Sequence, residues 1–180
     1  MNHEVRLRRA YFDTRFGQLH VRTAFPGTGG FDEHTTLFCV HGTGSTSRIF
    51  GKFLALMAVD RSVYAPDRPG HGESDGGPHS LTAKSHAQAL SDLARDLRLR
   101  RIDVLGLEDG CPVAAALAVD NPDLVRRVVV LAQDPRDTAH AITQPQSVLR
   151  LGPGAEFSAD ALQSGPESLA RAVRTFLDRS

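Results

Sequence analysis

Near the N-terminal end, two stretches alternate apolar and polar residues, and continuous apolar runs follow them. The alternating stretches cover residues 5–13 and 18–24, and the turn at Gly17 between them predicts a β-hairpin with one covered face. Apolar runs that predict buried strands cover residues 36–40, 102–107 and 125–131. Shorter strands are predicted at residues 62–65 and 146–151.

Segments with apolar residues at helical spacing separate these strands. Helices are predicted at residues 46–58, from Ser80 or Thr82 to about residue 99, at 109–120, and from Gly165-Pro166 to about residue 178. Strands that alternate with helices predict an α/β fold of three layers, with a mostly parallel central sheet and helices on both faces. Residues 1–180 are expected to form a single domain of this kind.

Polar residues stand directly after several of the predicted strands. His41, Glu108 and Asp134 each follow a strand end, and Glu156 lies in a loop after the last strand. In an open α/β sheet the functional site lies at the carboxyl ends of the strands. Chain order and topology therefore predict that these four side chains meet at one edge of the sheet.

Composition and charge narrow the classes of partner. The formal net charge is zero, with 21 basic and 21 acidic residues, so nothing favours binding to nucleic acid or to an anionic membrane. No apolar run reaches the length of a membrane span and the N-terminus lacks a signal-peptide core, so a cytoplasmic protein is expected.

Cys39 and Cys111 are expected to be reduced core thiols. No metal-ligand spacing and no glycine-rich phosphate loop occur, and neither a metal nor another cofactor is expected.

Three loop motifs and one helix end occur in a recognisable order along the chain. They are His41-Gly42-Thr43-Gly44, the run Asp67-Arg68-Pro69-Gly70-His71-Gly72-Glu73-Ser74, the segment Gly106–Gly110 with G-x-S-x-G spacing, and the helix stop Asn121-Pro122. In this order they resemble the α/β-hydrolase fold superfamily, and the last helix, residues 166–177, resembles the superfamily's C-terminal helix. The resemblance covers most of the chain. It implies a nucleophile elbow at Gly106–Gly110, where a strained turn presents its central residue at the strand ends.

The chain departs from the superfamily pattern at the residues that carry its chemistry. The central elbow residue is Glu108, where members have a serine or, in epoxide hydrolases and dehalogenases, an aspartate. The loop that matches the superfamily's histidine reads Gly154-Ala155-Glu156-Phe157, and no histidine follows His140. Asp134 lies where some members place the triad acid, but it has no such histidine to orient. Serine-type acyl transfer is therefore not expected. The segment that usually holds the lid is reduced to residues 134–146, so a truncated, lid-less fold is expected.

Three interpretations of Glu108 remain open. In the first, Glu108 is a general acid or base, Glu156 or Asp134 is a second carboxyl group, and His41 donates to a developing oxyanion. Such a site suits isomerisation, elimination or cyclisation of a small carbonyl-containing metabolite. In the second, the chain is a non-catalytic relative that binds a small molecule or a partner protein. In the third, Glu108 attacks as a nucleophile, although its extra methylene displaces the carboxylate by roughly an ångström relative to an aspartate.

The neighbouring motif residues are expected to support this site. Gly42, Thr43 and Asp109 should line the pocket that binds an oxyanion. Asp67 and His71 are expected to hold a structural turn. The expected partner is a small-molecule ligand or substrate. A missing lid leaves apolar surface at the strand ends, and a homodimer over that edge would cover it.

Overall fold

Seven strands form one mixed sheet in the part of the chain that the structure describes. The computed structural model describes residues 5–27, 34–76, 81–132, 147–152 and 158–179. The strands are β1 (Arg6–Thr14), β2 (Gly17–Phe25), β3 (Thr36–Val40), β4 (Val63–Pro66), β5 (Ile102–Leu107), β6 (Val125–Leu131) and β7 (Ser147–Leu151). Their order across the sheet is β1-β2-β4-β3-β5-β6-β7. β1 and β2 form the predicted antiparallel hairpin, β2 also pairs antiparallel with β4, and all other neighbours are parallel.

Helices cover both faces of this sheet. Those among the described residues are α1 (Gly51–Met57), α2 (Ala83–Asp96), α3 (Cys111–Asp120), α4 (Ala159–Ser164) and α5 (Glu167–Leu177). Helices α2 and α3 pack on one face, and α1, α4 and α5 pack on the other. In β3, Phe38 and Val40 join the first core, whereas Leu37 and Cys39 join the second. Successive side chains of a strand point to opposite faces, so a continuous apolar run covers both. The predicted three-layer α/β fold is confirmed.

Helix α2 is shorter than its sequence pattern predicted. Thr82 caps its N-terminus, because the Thr82 hydroxyl accepts a hydrogen bond from the Ser85 amide at 3.1 Å. The helix ends at Asp96 rather than near residue 99. Arg98 adopts a left-handed φ of 55°, and the Leu99 amide bonds back to the last turn at 2.9 Å. The backbone therefore leaves the helix through a left-handed cap that a periodic apolar pattern does not reveal.

The helices among the described residues are short, and the longest is the 14-residue α2. None of them is long and apolar enough to cross a membrane. The sequence pattern did not predict α4, which has only six residues. The Ser158 hydroxyl caps it by accepting the Ala161 amide at 3.2 Å, and Leu162 is completely buried. One apolar side chain at the right depth therefore docks a helix that is too short to show a periodic pattern.

Candidate active site

The chain turns sharply from β5 into α3, and this turn has the backbone of a nucleophile elbow. Glu108 lies at its tip with a left-handed φ of 49°, a conformation that is unfavourable for residues other than glycine. A 3₁₀ turn, Glu108–Gly110, joins the tip to α3. The flanking glycines have no room for side chains. A β-carbon at Gly106 would lie 2.7 Å from the Cys111 Cα atom, and one at Gly110 would overlap the Val40 carbonyl oxygen. Close packing of three backbones therefore requires both glycines.

The Glu108 side chain is half-buried and lies against the loop that follows β3. A β-carbon at Gly42 would lie 3.1 Å from the Glu108 Cβ atom and 3.5 Å from the Asp109 nitrogen. The structure thus brings Gly42 next to Glu108 and Asp109, and Thr43 follows Gly42 in the same loop. Across the described residues, no hydrogen bond or ion pair holds the Glu108 carboxylate. Its carboxylate therefore has no structural partner in this part of the chain.

Two backbone N–H groups beside Glu108 have no acceptor within the described ranges: those of Thr43 and Asp109. Asp109 is the second residue of the 3₁₀ turn, and amides in a first helical turn have no partner within the helix. Both residues are exposed. Amides at these two positions can bind a carbonyl oxygen on which negative charge develops.

His41 is completely buried, and both of its ring nitrogens are occupied. The Arg68 amide donates to Nε2 at 3.0 Å, so the proton is on Nδ1, which donates to the Gly42 carbonyl at 2.8 Å. Burial lowers the pKa of His41 to about 4, which keeps the ring neutral. The geometry therefore does not support the expected donation by His41 to an oxyanion. Instead, His41 fixes the loop of Gly42 against the loop of Arg68.

Asp67 anchors the loop after β4, in agreement with the structural role expected for it. Its carboxylate accepts the Ser47 amide at 2.6 Å and the Glu73 amide at 3.0 Å, and it bonds the His20 Nδ1 atom at 2.9 Å. Burial alone would raise the pKa of Asp67, but the hydrogen bonds from Glu73, Ser47 and His20 together hold the pKa below its ordinary value. A β-carbon at Gly72 would overlap this carboxylate. Asp67 and Gly72 therefore shape the turn.

Arg68 is a site residue to which sequence reasoning assigned no role. Its side chain lies between the two loops, where Nη2 is 3.4 Å from the Thr43 hydroxyl and 3.4 Å from the His71 Nε2 atom. The His71 ring in turn lies 5.4 Å from the His41 ring and 5.8 Å from the His86 ring, measured between centroids. The only signal in the sequence was the basic residue directly after Asp67. Nothing in that motif shows that the guanidinium is buried.

Cys111 and Ser74 carry groups that could act as nucleophiles, but both side chains form hydrogen bonds within the fold. The Cys111 thiol is buried and lies 3.1 Å from the Gly106 carbonyl oxygen, which supports its expected packing role. Burial raises the pKa of Cys111 to about 12, so the reactive thiolate is disfavoured. The Ser74 hydroxyl donates to the Asp67 carbonyl at 2.6 Å and accepts the His20 amide at 2.9 Å. Neither side chain is available to attack a substrate.

Asp134 and Glu156, the two further carboxyl groups expected at the site, lie outside the described residues. The strands before them are described. β6 ends at Leu131 and β7 at Leu151, both parallel to β5 and at the same edge as Glu108. Their contribution to the site stays a prediction.

A cluster of acidic residues and one histidine lies near the end of α5. His34, Asp60 and Asp178 have side-chain ligand atoms within 4.8 Å of one another. The buried Arg61 guanidinium already binds both carboxylates, at 2.9 Å from Asp60 and 2.6 Å from Asp178. Arg174 adds a second guanidinium 3.6 Å from Asp60. A metal ion would have to displace two cations, so this cluster is an ion-pair network that holds α5.

The sheet order, the parallel core and the elbow define the α/β-hydrolase fold. A family model described as "Alpha/beta hydrolase family" matches residues 37–180, and the chain belongs to this family. A solved structure described as a predicted CIB-like hydrolase from Thermoplasma acidophilum superposes with a TM-score of 0.75. The superposition covers 96% of this chain and 98% of that one at 16% identity, so it supports the fold alone.

Two curated relatives whose names describe hydrolases share sequence with part of this chain. A pyrrolizixenacetamide deacetylase from Xenorhabdus hominickii is 34% identical over 96 residues, which are 53% of this chain and 36% of that protein. A pimeloyl-[acyl-carrier protein] methyl ester esterase from Proteus mirabilis (strain HI4320) is 30% identical over 106 residues, which are 59% of this chain and 39% of that protein. The matched part thus spans less than half the length of either relative.

Proposed function

We propose that this chain is a carboxylate-centred enzyme of the α/β-hydrolase family. Glu108 is its general base or acid, and its substrate is a small carbonyl-containing metabolite. The observation that carries the proposal is the half-buried carboxylate of Glu108, which has no partner among the described residues and stands at a backbone position with a φ of 49°. A strained backbone at a site edge is commonly part of a mechanism, because packing elsewhere must stabilise it.

The proposed reaction begins when the substrate carbonyl oxygen accepts hydrogen bonds from the Thr43 and Asp109 amides. Glu108 then removes a proton from the carbon next to the carbonyl group, and the electrons of that C–H bond form an enolate. The two amides stabilise the negative charge on the enolate oxygen. Return of the proton to another carbon gives an isomer, and loss of a leaving group gives an elimination product. Asp134 or Glu156 would supply the second proton transfer.

In this proposal His41 does not donate a proton to the substrate but holds a loop in place. Its two hydrogen bonds join the Gly42 carbonyl to the Arg68 amide, so it holds the loop that carries the Thr43 amide. Oxyanion donors contribute most when they are fixed before the reaction begins. His41 is therefore a positioning residue, and its effect on catalysis is through Thr43.

Hydrolysis through a covalent Glu108 ester is less well supported. The ester would need an activated water for its release, and the His41 ring on the neighbouring loop has no free nitrogen.

The engagement of both His41 nitrogens also favours a second candidate function, a non-catalytic member of the family that binds a small molecule. In that case the Thr43 and Asp109 amides would hold the ligand without any proton transfer.

Proton abstraction can be tested without knowing the natural substrate. The protein is incubated in D₂O with a panel of small ketones and oxo acids, and exchange of the protons next to the carbonyl group is followed by ¹H NMR. Glu108→Gln and Glu108→Ala are expected to reduce the exchange rate by about a hundredfold or more, the usual contribution of a general base. Glu167→Gln, which alters a distant exposed glutamate in α5, is the matched control and should exchange at the wild-type rate.

Three outcomes separate the candidates. Full exchange in Glu108→Ala would contradict catalysis by this carboxylate. Retained exchange in Glu108→Gln with loss in Glu108→Ala would mean that the residue acts through hydrogen bonding. If no panel compound exchanges in the wild type but several bind, the non-catalytic alternative is favoured.

A further inference from the structure

Arg68 differs in its contacts from Arg61, which is also buried, and from the half-buried Arg126. Arg61 and Arg126 each bind a carboxylate, with a shortest contact of 2.6 Å. Arg68 is only 4% exposed, yet its side-chain hydrogen bonds are two long contacts, to the Thr43 hydroxyl and to an imidazole nitrogen of His71. Its Nε atom is buried without a hydrogen-bond partner. Among the described residues, no carboxylate forms an ion pair with Arg68, and a buried guanidinium without such a pair is costly.

The guanidinium lies at the elbow. Thr43 supplies the hydroxyl that Arg68 contacts and also one of the two amides beside Glu108. Burial lowers the pKa of Arg68, and the charge of Asp109, the residue after Glu108, opposes this effect. Arg68 therefore lies close enough to the elbow to be influenced by its acidic residue. His86, whose pKa the Arg68 charge helps to lower, also has a buried Nδ1 atom without a hydrogen-bond partner.

We propose that Arg68 is the anion-recognition residue of this site and binds a carboxylate group of the substrate. The planar guanidinium fork matches the two oxygens of a carboxylate. A monoanion fits better than a phosphate dianion, because Glu108 and Asp109 lie nearby and would repel a second negative charge. The reaction of this substrate rests on the proposed function above, whereas the binding of its carboxylate does not.

The position of Thr43 also limits the length of the substrate. The Thr43 amide would hold the carbonyl oxygen, while the Thr43 hydroxyl touches the guanidinium that would hold the carboxylate. One anchor point is the Thr43 amide and the other is the guanidinium that the Thr43 side chain contacts, so the carbonyl and carboxylate groups of the substrate must be only a few bonds apart. Short oxo acids have this arrangement. Rotation of the exposed Thr43 side chain would uncover the Nη2 atom for the incoming carboxylate.

The test is equilibrium binding of simple anions to the intact protein. Sodium pyruvate, propionate and phosphate are titrated at constant ionic strength, and the arginine Nε–H resonances are followed by ¹H–¹⁵N NMR. Pyruvate and propionate are expected to move the Arg68 resonance, and Arg68→Gln should weaken their binding at least tenfold. Arg48→Gln is the matched control, because it removes the same charge from an exposed arginine on the neighbouring turn and should bind as the wild type does.

Two further variants keep the proposal falsifiable. Arg68→Lys retains the charge but not the fork, and it should bind carboxylates less tightly than the wild type and more tightly than Arg68→Gln. If Arg68→Gln does not fold, the wild-type titration decides: the largest shift at an arginine other than Arg68 would overturn the proposal. Equal binding by a folded Arg68→Gln, or tighter binding of phosphate than of propionate, would also overturn it.

These experiments can contradict the carboxylate-binding proposal and the catalytic proposal independently of each other. Glu108→Gln should bind pyruvate at least as tightly as the wild type, since it removes a nearby negative charge. If pyruvate binds through Arg68 but no compound exchanges protons, the catalytic proposal fails and the carboxylate site stands. If protons exchange but Arg68→Gln leaves carboxylate binding unchanged, the recognition proposal fails alone.

Discussion

Replacement of Glu108 by glycine is expected to make the protein more stable while it removes activity. The left-handed φ of 49° costs a residue with a side chain about 1–2 kcal/mol, and glycine adopts it without that penalty. Glycine has greater freedom in the unfolded chain, which offsets about 0.5–1 kcal/mol of the gain. Loss of a carboxylate near the start of a helical turn also removes some favourable interaction with the helix dipole. The net gain for Glu108→Gly should therefore be small.

A comparison with Glu108→Ala isolates the backbone strain. Both variants lose the carboxylate, but alanine keeps a β-carbon at the left-handed position. The difference in unfolding free energy between the two should therefore be about 1 kcal/mol in favour of glycine. Arg98, which is exposed and has a φ of 55° after α2, provides the control pair. Arg98→Gly and Arg98→Ala should differ by a similar amount with no change in activity.

Urea unfolding at pH 7.5, followed by circular dichroism, measures these differences directly. The proton-exchange assay on the same samples gives the effect on activity. If Glu108→Gly is no more stable than Glu108→Ala while the Arg98 pair shows the expected difference, Glu108 is not strained in solution. That result would remove the main support for a functional role of the elbow.

Three further predictions concern the stability of the framework around the site, and each is measured by urea unfolding. Burial, with the neighbouring Arg68 charge, lowers the pKa of His86 from 6.5 to about 4. Because the folded protein disfavours the charged ring, the free energy of unfolding is greatest above about pH 6.5 and should be about 2 kcal/mol lower at pH 5. His86→Gln should reduce this dependence of stability on pH. Gly110→Ala should lose about 3 kcal/mol, because its β-carbon would overlap a β3 carbonyl, whereas Gly51→Ala has open space and should lose nothing. Asp67→Asn should lose about 2 kcal/mol, because three donors lose a charged acceptor.

The parts of the fold that the sequence predicted are those with a local signal. Continuous apolar runs predicted β3, β5 and β6, because a strand covered on both faces needs apolar residues at every position. The elbow was predicted because only glycine tolerates the backbone approach at Gly106 and Gly110. Asp67 was predicted to be structural from its place in a turn. In each case the pattern that gives the signal spans only a few consecutive residues, although the contacts that require it come partly from distant segments.

The chemistry of the individual side chains depended on contacts that no local pattern contains. His41 follows a strand end, as a catalytic residue would, but its proton is fixed by an amide 27 residues later in the chain. Arg68 stands in a loop motif with nothing to show that tertiary packing buries it. Helix α4 depends on one buried leucine and a serine cap. Such features follow from how distant segments meet, so a single sequence gives them no signature.

Two features that reduce the stability of the fold bear on whether this site is active or has lost its function. Glu108 has a strained backbone and no side-chain bond to a described residue, and the buried Arg68 forms no ion pair with the described carboxylates. Either could be relieved by a single substitution, and a change from a glutamate to a glycine codon needs only one base. In a site without function, nothing would oppose such stabilising substitutions, since most positions need only keep the protein folded. An anionic carbonyl compound bound as proposed would pair with Arg68 and react at Glu108, so the proposed ligand would account for both features. We therefore propose an active site rather than one that has lost its function.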